Sequence, residues 1–433
     1  MSRNGKYQSL PGDRDPAYAT DGRLTLPQDF GTLVILLNLS DQSSIISSYT
    51  AIGPRLAKVT VDGKLATSFG EQGVVKLKFD YIGHQNGEAY IFGVIEIEDE
   101  AVPKLLLLLS IPASRRRSFA VARLLEHGAL DLTFGSGKGY EIYAEFVSGA
   151  VGQSYLANAT TAMGGENRYS RGGQFGASVQ VDDNKTLVVF NIQGANDSTD
   201  HSWFFRLDRD GKLDLTFGNR GFQEFQHPGG FAQIAALTPA GVGKFVAAGH
   251  CFEPSVENGA GFVARFFNDA SVDESFGDKF KFPGYYQTPD LMEPGSGSSF
   301  LRAVSVDALG YVTSIGFQYK DDSSVGIVVR LSGEGTFDPS FNGGDVLKVE
   351  AHDGMFFTKF ASAVSADGLI YIPSERNGIQ RRLKSGNIDL VFGQDGYVIY
   401  PDVFTIADLA QQQDGKLLML SDGQNSYIDR LMV

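Results

Sequence analysis

The chain has 433 residues, including 52 glycines, 32 phenylalanines and 17 tyrosines, and this glycine- and aromatic-rich composition with short β-branched runs favours an all-β fold. A formal net charge of −14 excludes a general nucleic-acid binder, because phosphate contacts need a basic face. A single cysteine, Cys251, excludes an intrachain disulfide, so packing alone must hold the fold.

The first ten residues, Met-Ser-Arg-Asn-Gly-Lys-Tyr-Gln-Ser-Leu, have no apolar core. They predict no Sec-type signal, which leaves the cytoplasm or export by a leaderless route. From Gly12 onward one motif recurs. Its aromatic stands at Tyr18, Phe69, Phe134, Phe217, Phe276, Phe341 and Phe392, with spacings of 51, 65, 83, 59, 65 and 51. Seven copies at a period near sixty residues indicate a repeat architecture.

Three residues before the aromatic stands aspartate: Asp15, Asp131, Asp214, Asp273, Asp338 and Asp389, with Ala66 departing. Six before it stands glycine: Gly12, Gly63, Gly128, Gly211, Gly335 and Gly386, with Ala270 departing. Eleven before it stands a cation: Lys58, Arg123, Arg206, Arg265, Arg330 and Arg381. The pattern predicts a strand, a tight turn and a return. Glycine supplies positive φ, aspartate accepts hydrogen bonds from backbone amides just downstream, and the aromatic plugs the turn into the neighbouring unit. Because the motif recurs in every unit, its residues read as scaffold and not as a catalytic set.

Each unit contains four short β-like runs, labelled A to D from inside to outside. The first two units begin at Leu33 and Tyr90. Within the second, 105–109 is the longest apolar run, far below the ~20 residues of a membrane helix, and it predicts a buried strand. The third unit has 175–181, 186–192, 203–207 and 222–225, with the single Trp203 in a core strand. The fourth has 231–237, 244–249, 261–267 and 280–282. The fifth has 304–306, 311–317, 325–331 and 346–349, and the sixth 360–364, 369–372, 379–383 and 397–400. After Tyr400 come only three runs, 404–409, 416–420 and 427–432. The missing fourth is expected from the N-terminus at 23–26, since Arg430 stands where the cation belongs and Gly12, Asp15 and Tyr18 follow it in phase. The expectation is a seven-bladed β-propeller of four antiparallel strands per blade. Residues 1–433 form one domain, a monomer, whose last blade the N-terminal strand (about 22–26) closes, removing an exposed sheet edge.

The run Asp210-Gly211-Lys212-Leu213-Asp214-Leu215-Thr216-Phe217-Gly218-Asn219-Arg220-Gly221 resembles the bacterial delta-60 repeat. That resemblance covers nearly the whole chain and implies a β-propeller; it implies no particular activity.

Strand order predicts two unlike faces. The A–B and C–D connections share one, which carries the uniform motif turns. The B–C and D–A connections share the other, which carries the irregular loops 111–118, 147–173, 193–202, 251–259 and 283–299. Loops on a rigid scaffold are where binding usually resides, so the second face is the expected binding face. His84, His227 and His352 map there, each followed by glycine and an aromatic opening strand A. The simpler reading is a ring that hydrogen-bonds its own loop and sets how the chain enters strand A. The sharper one is a group of imidazoles at the channel mouth, binding a ligand or a metal. Paired carboxylates at a shared spacing are missing, so no metal site is expected, and no cofactor.

Arg116, within Arg115-Arg116-Arg117, is a candidate for an anion or partner contact. Tyr285 and Tyr286 are candidates for stacking on a sugar or a peptide. Asp208-Arg209-Asp210-Gly211 has the look of a short calcium loop, but sister turns lack the carboxylates, which favours an ordinary turn. His250 and Cys251 could pair as base and nucleophile, yet adjacent strand residues point to opposite faces. The sequence contains neither a nucleophile elbow nor a phosphate-binding loop. The function expected is a non-catalytic scaffold holding a protein or glycan on the loop-rich face. The alternative is a hydrolase or lyase at the channel mouth of that face.

Overall fold

The computed structural model describes residues 10–79, 89–97, 103–113, 116–143, 176–181, 185–192, 201–252, 259–289, 297–320, 323–349, 363–365, 367–374 and 377–433. These residues form seven four-stranded sheets, each antiparallel from strand to strand. The first strands of blades 1 to 7 are Thr32–Asn38, Tyr90–Ile97, Gly176–Val181, Phe231–Pro239, Ser298–Val306, Ala363–Val364 and Val403–Gln411. Strands A of blades 1 to 5 neighbour one another in succession, as do those of blades 6 and 7 and of blades 7 and 1, so they make the inner ring around a channel. The protein is an all-β, seven-bladed β-propeller.

The seventh sheet is composite, as the phase of the motif requires. Arg23–Thr25 pairs antiparallel with Ser426–Leu431, Arg23 opposite Asp429 and Leu24 opposite Ile428. Arg23 Nε and Nη2 donate to the two oxygens of the fully buried Asp429 at 2.5 and 2.6 Å. Its guanidinium also lies 3.9 Å over the Tyr427 ring. Arg14 adds contacts to Asp402 at 2.9 Å and to Asp429 at 3.3 Å. Two arginines from one end of the chain thus clasp two aspartates from the other.

The motif builds a second ring on the outside of the turns. Every motif aromatic is buried, 1% exposed or less. A Cβ added to Gly211 of blade 3 would lie 2.8 Å from Leu106 and 3.4 Å from Phe134 of blade 2, and Gly128 and Gly386 meet the aromatics of the blades before them in the same way. The turn glycine is therefore needed twice, for its positive φ and for the bare surface it offers its neighbour. The N–H after the aromatic then donates across the blade boundary: Gly70 to the His127 carbonyl at 2.8 Å, Gly277 to Glu334 at 2.8 Å, Gly393 to Pro11 at 2.9 Å.

The recurrent cation and aspartate turn out to be one unit. Arg123, Arg206, Arg265, Arg330 and Arg381 pair with Asp131, Asp214, Asp273, Asp338 and Asp389 at 2.8–3.0 Å, and Arg430 pairs with Asp15 of the closing segment at 2.8 Å. Five of these guanidinium groups stack on the motif aromatic of their own blade at 4.7–5.0 Å. The other aspartate oxygen accepts the N–H two residues on, as from Thr216 at 3.1 Å and Thr133 at 3.0 Å. Blade 1, which has Ala66, compensates: its Lys58 turns to Asp41 at 2.9 Å.

One strand lies away from its expected place. Strand D of blade 4 is Tyr285–Gln287, paired with Phe262–Ala264, and not 280–282. Phe280 is 95% exposed. The strand follows a glycine of positive φ, Gly284, whose carbonyl accepts from Arg265 N–H just as Gly221 accepts from Arg206.

Candidate functional site

The two faces differ as strand order requires. On the motif face each C–D connection is a comparable turn, from Thr60 to Gly73 in blade 1 and from Asp208 to Gly221 in blade 3. Its recurrent arginine and aspartate are spent internally. Burial pushes the Asp131 carboxyl up, but hydrogen bonds from the Thr133 side chain and backbone and the Arg123 charge outweigh it and hold the group at about 2. Asp214 and Asp273 are held lower than the usual carboxylate range by the same competition, with Lys185 and Lys244 adding to it. Asp208 does not form a calcium loop; its Oδ1 accepts the N–H groups of Asp210 and Lys212, both at 2.9 Å, as an ordinary turn.

The opposite face has connections of very unequal length, from the short link between Ile399 and Val403 to the long one between Ile142 and Gly176. His84 and His352 lie outside the described residues, as do 144–175 and 253–258. His227 does not face the channel mouth. It is 5% exposed, and its Nδ1 accepts the Gly229 N–H at 2.9 Å two residues before strand A opens at Phe231. The proton is then on Nε2, which is buried without a hydrogen-bond partner among the rings of Phe262, Phe282 and Tyr285, at 5.0, 5.6 and 4.7 Å. Burial alone pushes the imidazole down to about 4, so it is neutral at physiological pH.

The structure brings His227 and Tyr285 together, in a core rather than a cleft. Tyr285 and Tyr286 belong to strand D of blade 4 and not to the following loop. Tyr285 packs into the aromatic cluster on one side of its sheet. Tyr286 packs edge-on against Phe337 of blade 5 at 5.3 Å. Tyr285 is buried and Tyr286 half-buried. Arg116 opens strand C of blade 2, Arg116–Leu124, opposite Ala113, so the arginine run lies mostly in a strand and not in a loop. Cys251 is buried, with Gln287 Nε2 3.4 Å from its sulfur, in the cluster shared with blade 3. His250 points the other way, onto Phe300 of blade 5 at 4.7 Å. No base and nucleophile meet there.

Among the described residues no group of three or more histidine, cysteine, aspartate or glutamate side chains is placed to hold a metal ion, and no helix is long and apolar enough to cross a membrane. A concavity of about 410 Å³ lies on the motif face, between the A–B turns of blades 6 and 7, lined by Asp367, Asp414 and Lys416. Lys416 is engaged there, with Nζ 2.7 Å from Asp15. Sequence reasoning placed no residue of this concavity in a site, since its walls come from two blades and the closing seam.

No family model matches the sequence, and no curated protein matches it. Solved structures do. Raptor from Chaetomium thermophilum is similar over 98% of this chain and 29% of its own, at 8% identity and a TM-score of 0.51. The Dos1 propeller is similar over 98% of this chain and 95% of its own, at 11% identity and a TM-score of 0.49. Virginiamycin B lyase from Staphylococcus aureus is similar over 95% of this chain and 98% of its own, at 9% identity and a TM-score of 0.48. At such identities the likeness is one of fold.

Proposed function

We propose that this chain is a delta-60-repeat propeller acting as a non-catalytic binding scaffold, which holds a protein or a glycan on the face carrying the D–A and B–C connections. The observation that supports this most is the contrast between the faces. Turn after turn, the motif face pairs its recurrent arginine with its own aspartate and with a carbonyl of the next blade. The opposite face varies in length from blade to blade, and variation on a rigid frame is how loops acquire specificity. One asymmetric site fits this better than a repeated lectin site, because the loops do not repeat.

The test is a footprint. A panel of glycans and displayed peptides is screened for a binder, and single-cysteine variants are then capped with a bulky maleimide polymer. Ile52→Cys lies in the B–C turn of blade 1, 68% exposed, and Leu215→Cys lies in a motif turn, 61% exposed; the native Cys251 is buried. Capping at residue 52 should reduce binding and capping at residue 215 should not. The reverse pattern overturns the reading. So does turnover of chromogenic ester, phosphate or glycoside substrates, which would favour a hydrolase or lyase.

A further inference from the structure

Blade 5 departs from its sisters at the residue after the motif aromatic. That position is glycine in blades 1, 2, 3, 4 and 6 (Gly70, Gly135, Gly218, Gly277 and Gly393) and Ala19 in the closing segment, whereas blade 5 has Asn342. All seven have φ between +46° and +70°, a region that favours glycine and that asparagine tolerates. The turn of blade 5 is also one residue shorter. Elsewhere a glycine N–H reaches the carbonyl of the aromatic four residues back, as Gly221 does to Phe217 at 2.7 Å and Gly396 to Phe392 at 3.0 Å, but Gly344 reaches Phe341 only three back, at 2.8 Å. The shorter turn puts Asn342, Gly343 and Gly344 in succession in the left-handed region, with φ of +46°, +70° and +82°.

An asparagine followed by glycine carries both reactants of a cyclisation, a side-chain amide and a main-chain nitrogen that no neighbouring side chain shields. We propose that Asn342 is a site of spontaneous deamidation and that its conversion loosens the joint between blades 5 and 6. Water or hydroxide removes the Gly343 N–H proton, the nitrogen forms a bond to Asn342 Cγ, and the Cγ–Nδ2 bond breaks with release of ammonia. Water then opens the cyclic imide. Cleavage between the nitrogen and Cγ gives aspartate; cleavage between the nitrogen and the main-chain carbonyl carbon gives isoaspartate, which routes the backbone through the side chain and lengthens it by one methylene. Either way one water is consumed and one ammonia leaves, with no change of oxidation state.

Closing the ring requires the peptide between residues 342 and 343 to swing about the Asn342 Cα–C bond. Little opposes that movement. Asn342 and Gly343 are exposed, the Gly343 N–H makes no hydrogen bond, and a Cβ built on Gly343 would have nothing within 4 Å. Asn377–Gly378 is the other Asn–Gly pair among the described residues, and it is held on both sides: Gly378 N–H donates to Ser374 Oγ at 2.9 Å, and the Asn377 carbonyl accepts the Tyr400 N–H at 2.8 Å. The consequence of conversion also follows from the contacts of Asn342. Its main-chain N–H donates to the Ser385 carbonyl of blade 6 at 3.0 Å, and its Nδ2 donates to the carbonyls of Val346 at 3.0 Å and Asp345 at 3.4 Å, just ahead of strand D, Leu347–Val349. A carboxylate cannot donate to those carbonyls and is repelled by them, and the extra methylene displaces the N–H that bridges to blade 6.

The experiment ages the full chain, folded in mildly alkaline buffer and in parallel unfolded in urea, and maps both by mass spectrometry. Trypsin releases 331–348, in which Asn342 is the only asparagine, so the mass difference between amide and acid reports its conversion. Methylation by protein isoaspartyl methyltransferase identifies the isoaspartate. In the folded chain Asn342 should convert faster than Asn377 by on the order of tenfold, the factor that one hydrogen bond held against the reaction is worth, and in urea the two should convert at similar rates. The wild-type Tm should fall by on the order of 1–3 °C as conversion proceeds. Asn342→Gly restores the residue that five sister blades carry, so it is expected to fold and to keep its Tm through the same incubation. The proposal is overturned by the absence of conversion at Asn342 in the folded chain, by a ratio of Asn342 to Asn377 conversion no greater folded than in urea, or by an equal fall of Tm in Asn342→Gly.

Discussion

Arg23 and Asp429 stand 406 residues apart in sequence and face each other across the closing sheet as a side-on pair, Nε to Oδ1 at 2.5 Å and Nη2 to Oδ2 at 2.6 Å. Asp429 is fully buried, and Arg14 Nε stands 3.3 Å from the same carboxylate. This pair lies across the one junction of the ring that no continuous chain secures.

Removing that carboxylate should therefore open the ring where it is weakest. Asp429→Ala leaves two guanidinium groups beside an empty buried space, and the expected cost is about 3–5 kcal/mol, as for breaking a buried ion pair from one side. Urea unfolding measures it. A loss below about 1 kcal/mol, the range of a surface pair, would show that strand pairing alone closes the ring.

Gly211→Ala tests the contact between blades. The residue has φ +84°, and the new methyl would lie 2.8 Å from Leu106 of the preceding blade. Gly241→Ala is its control, with φ +88° and nothing within 4 Å. Both variants suffer backbone strain of about 1–3 kcal/mol, and only Gly211→Ala should lose more through the clash. Equal melting temperatures would mean that the turn glycine serves conformation alone.

The buried His227 sets an acid limit on stability. Its folded value of about 4 lies below the ordinary 6.5, so the unfolded chain takes up the proton first. Stability from this group is full above 6.5 and declines as pH falls toward 4, by roughly 2–3 kcal/mol. His227→Phe should flatten the decline, as read from Tm against pH. An unchanged slope would place the loss elsewhere.

Asp408 should oppose that trend. Its carboxyl, at the inner ring, accepts the N–H of Leu36 in blade 1 and of Leu409, both at 2.9 Å, yet burial outweighs these bonds and pushes it up to about 6 from the ordinary 3.8. A carboxyl with a raised folded value is costly when ionised, so its contribution improves as pH falls through 6 and is complete below 3.8. Asp408→Asn should consequently steepen the loss of stability between those values. A shallower loss would contradict the assignment. Below 3.8 the motif aspartates act the other way in every variant, since Asp131, at about 2, loses its ionised partners as it protonates.

The repeat made most of the fold legible. Its aromatic, glycine and aspartate recur because every blade must solve the same turn and fill the same gap against its neighbour, and the phase of Arg430 with Gly12 was enough to place Arg23–Thr25 beside Ser426–Leu431. The shift of strand D in blade 4 was hidden because Phe280 and Phe282 imitate a strand, although Gly284 marked the true start as Gly221 does in blade 3.

What sequence settled by itself is local and periodic: how many blades, where each turns, and which face carries the unequal loops. Which side chains meet was left to the tertiary structure. Spacing gave the cation and the aspartate of each motif, but only the return of the chain makes Arg206 bridge Asp214 while stacking on Phe217. Likewise His250 and Phe300 share no motif, and they meet because a blade boundary packs two sheets against each other. Periodicity reports the contacts that every unit repeats; a site is made of the contacts that only one pair of units has.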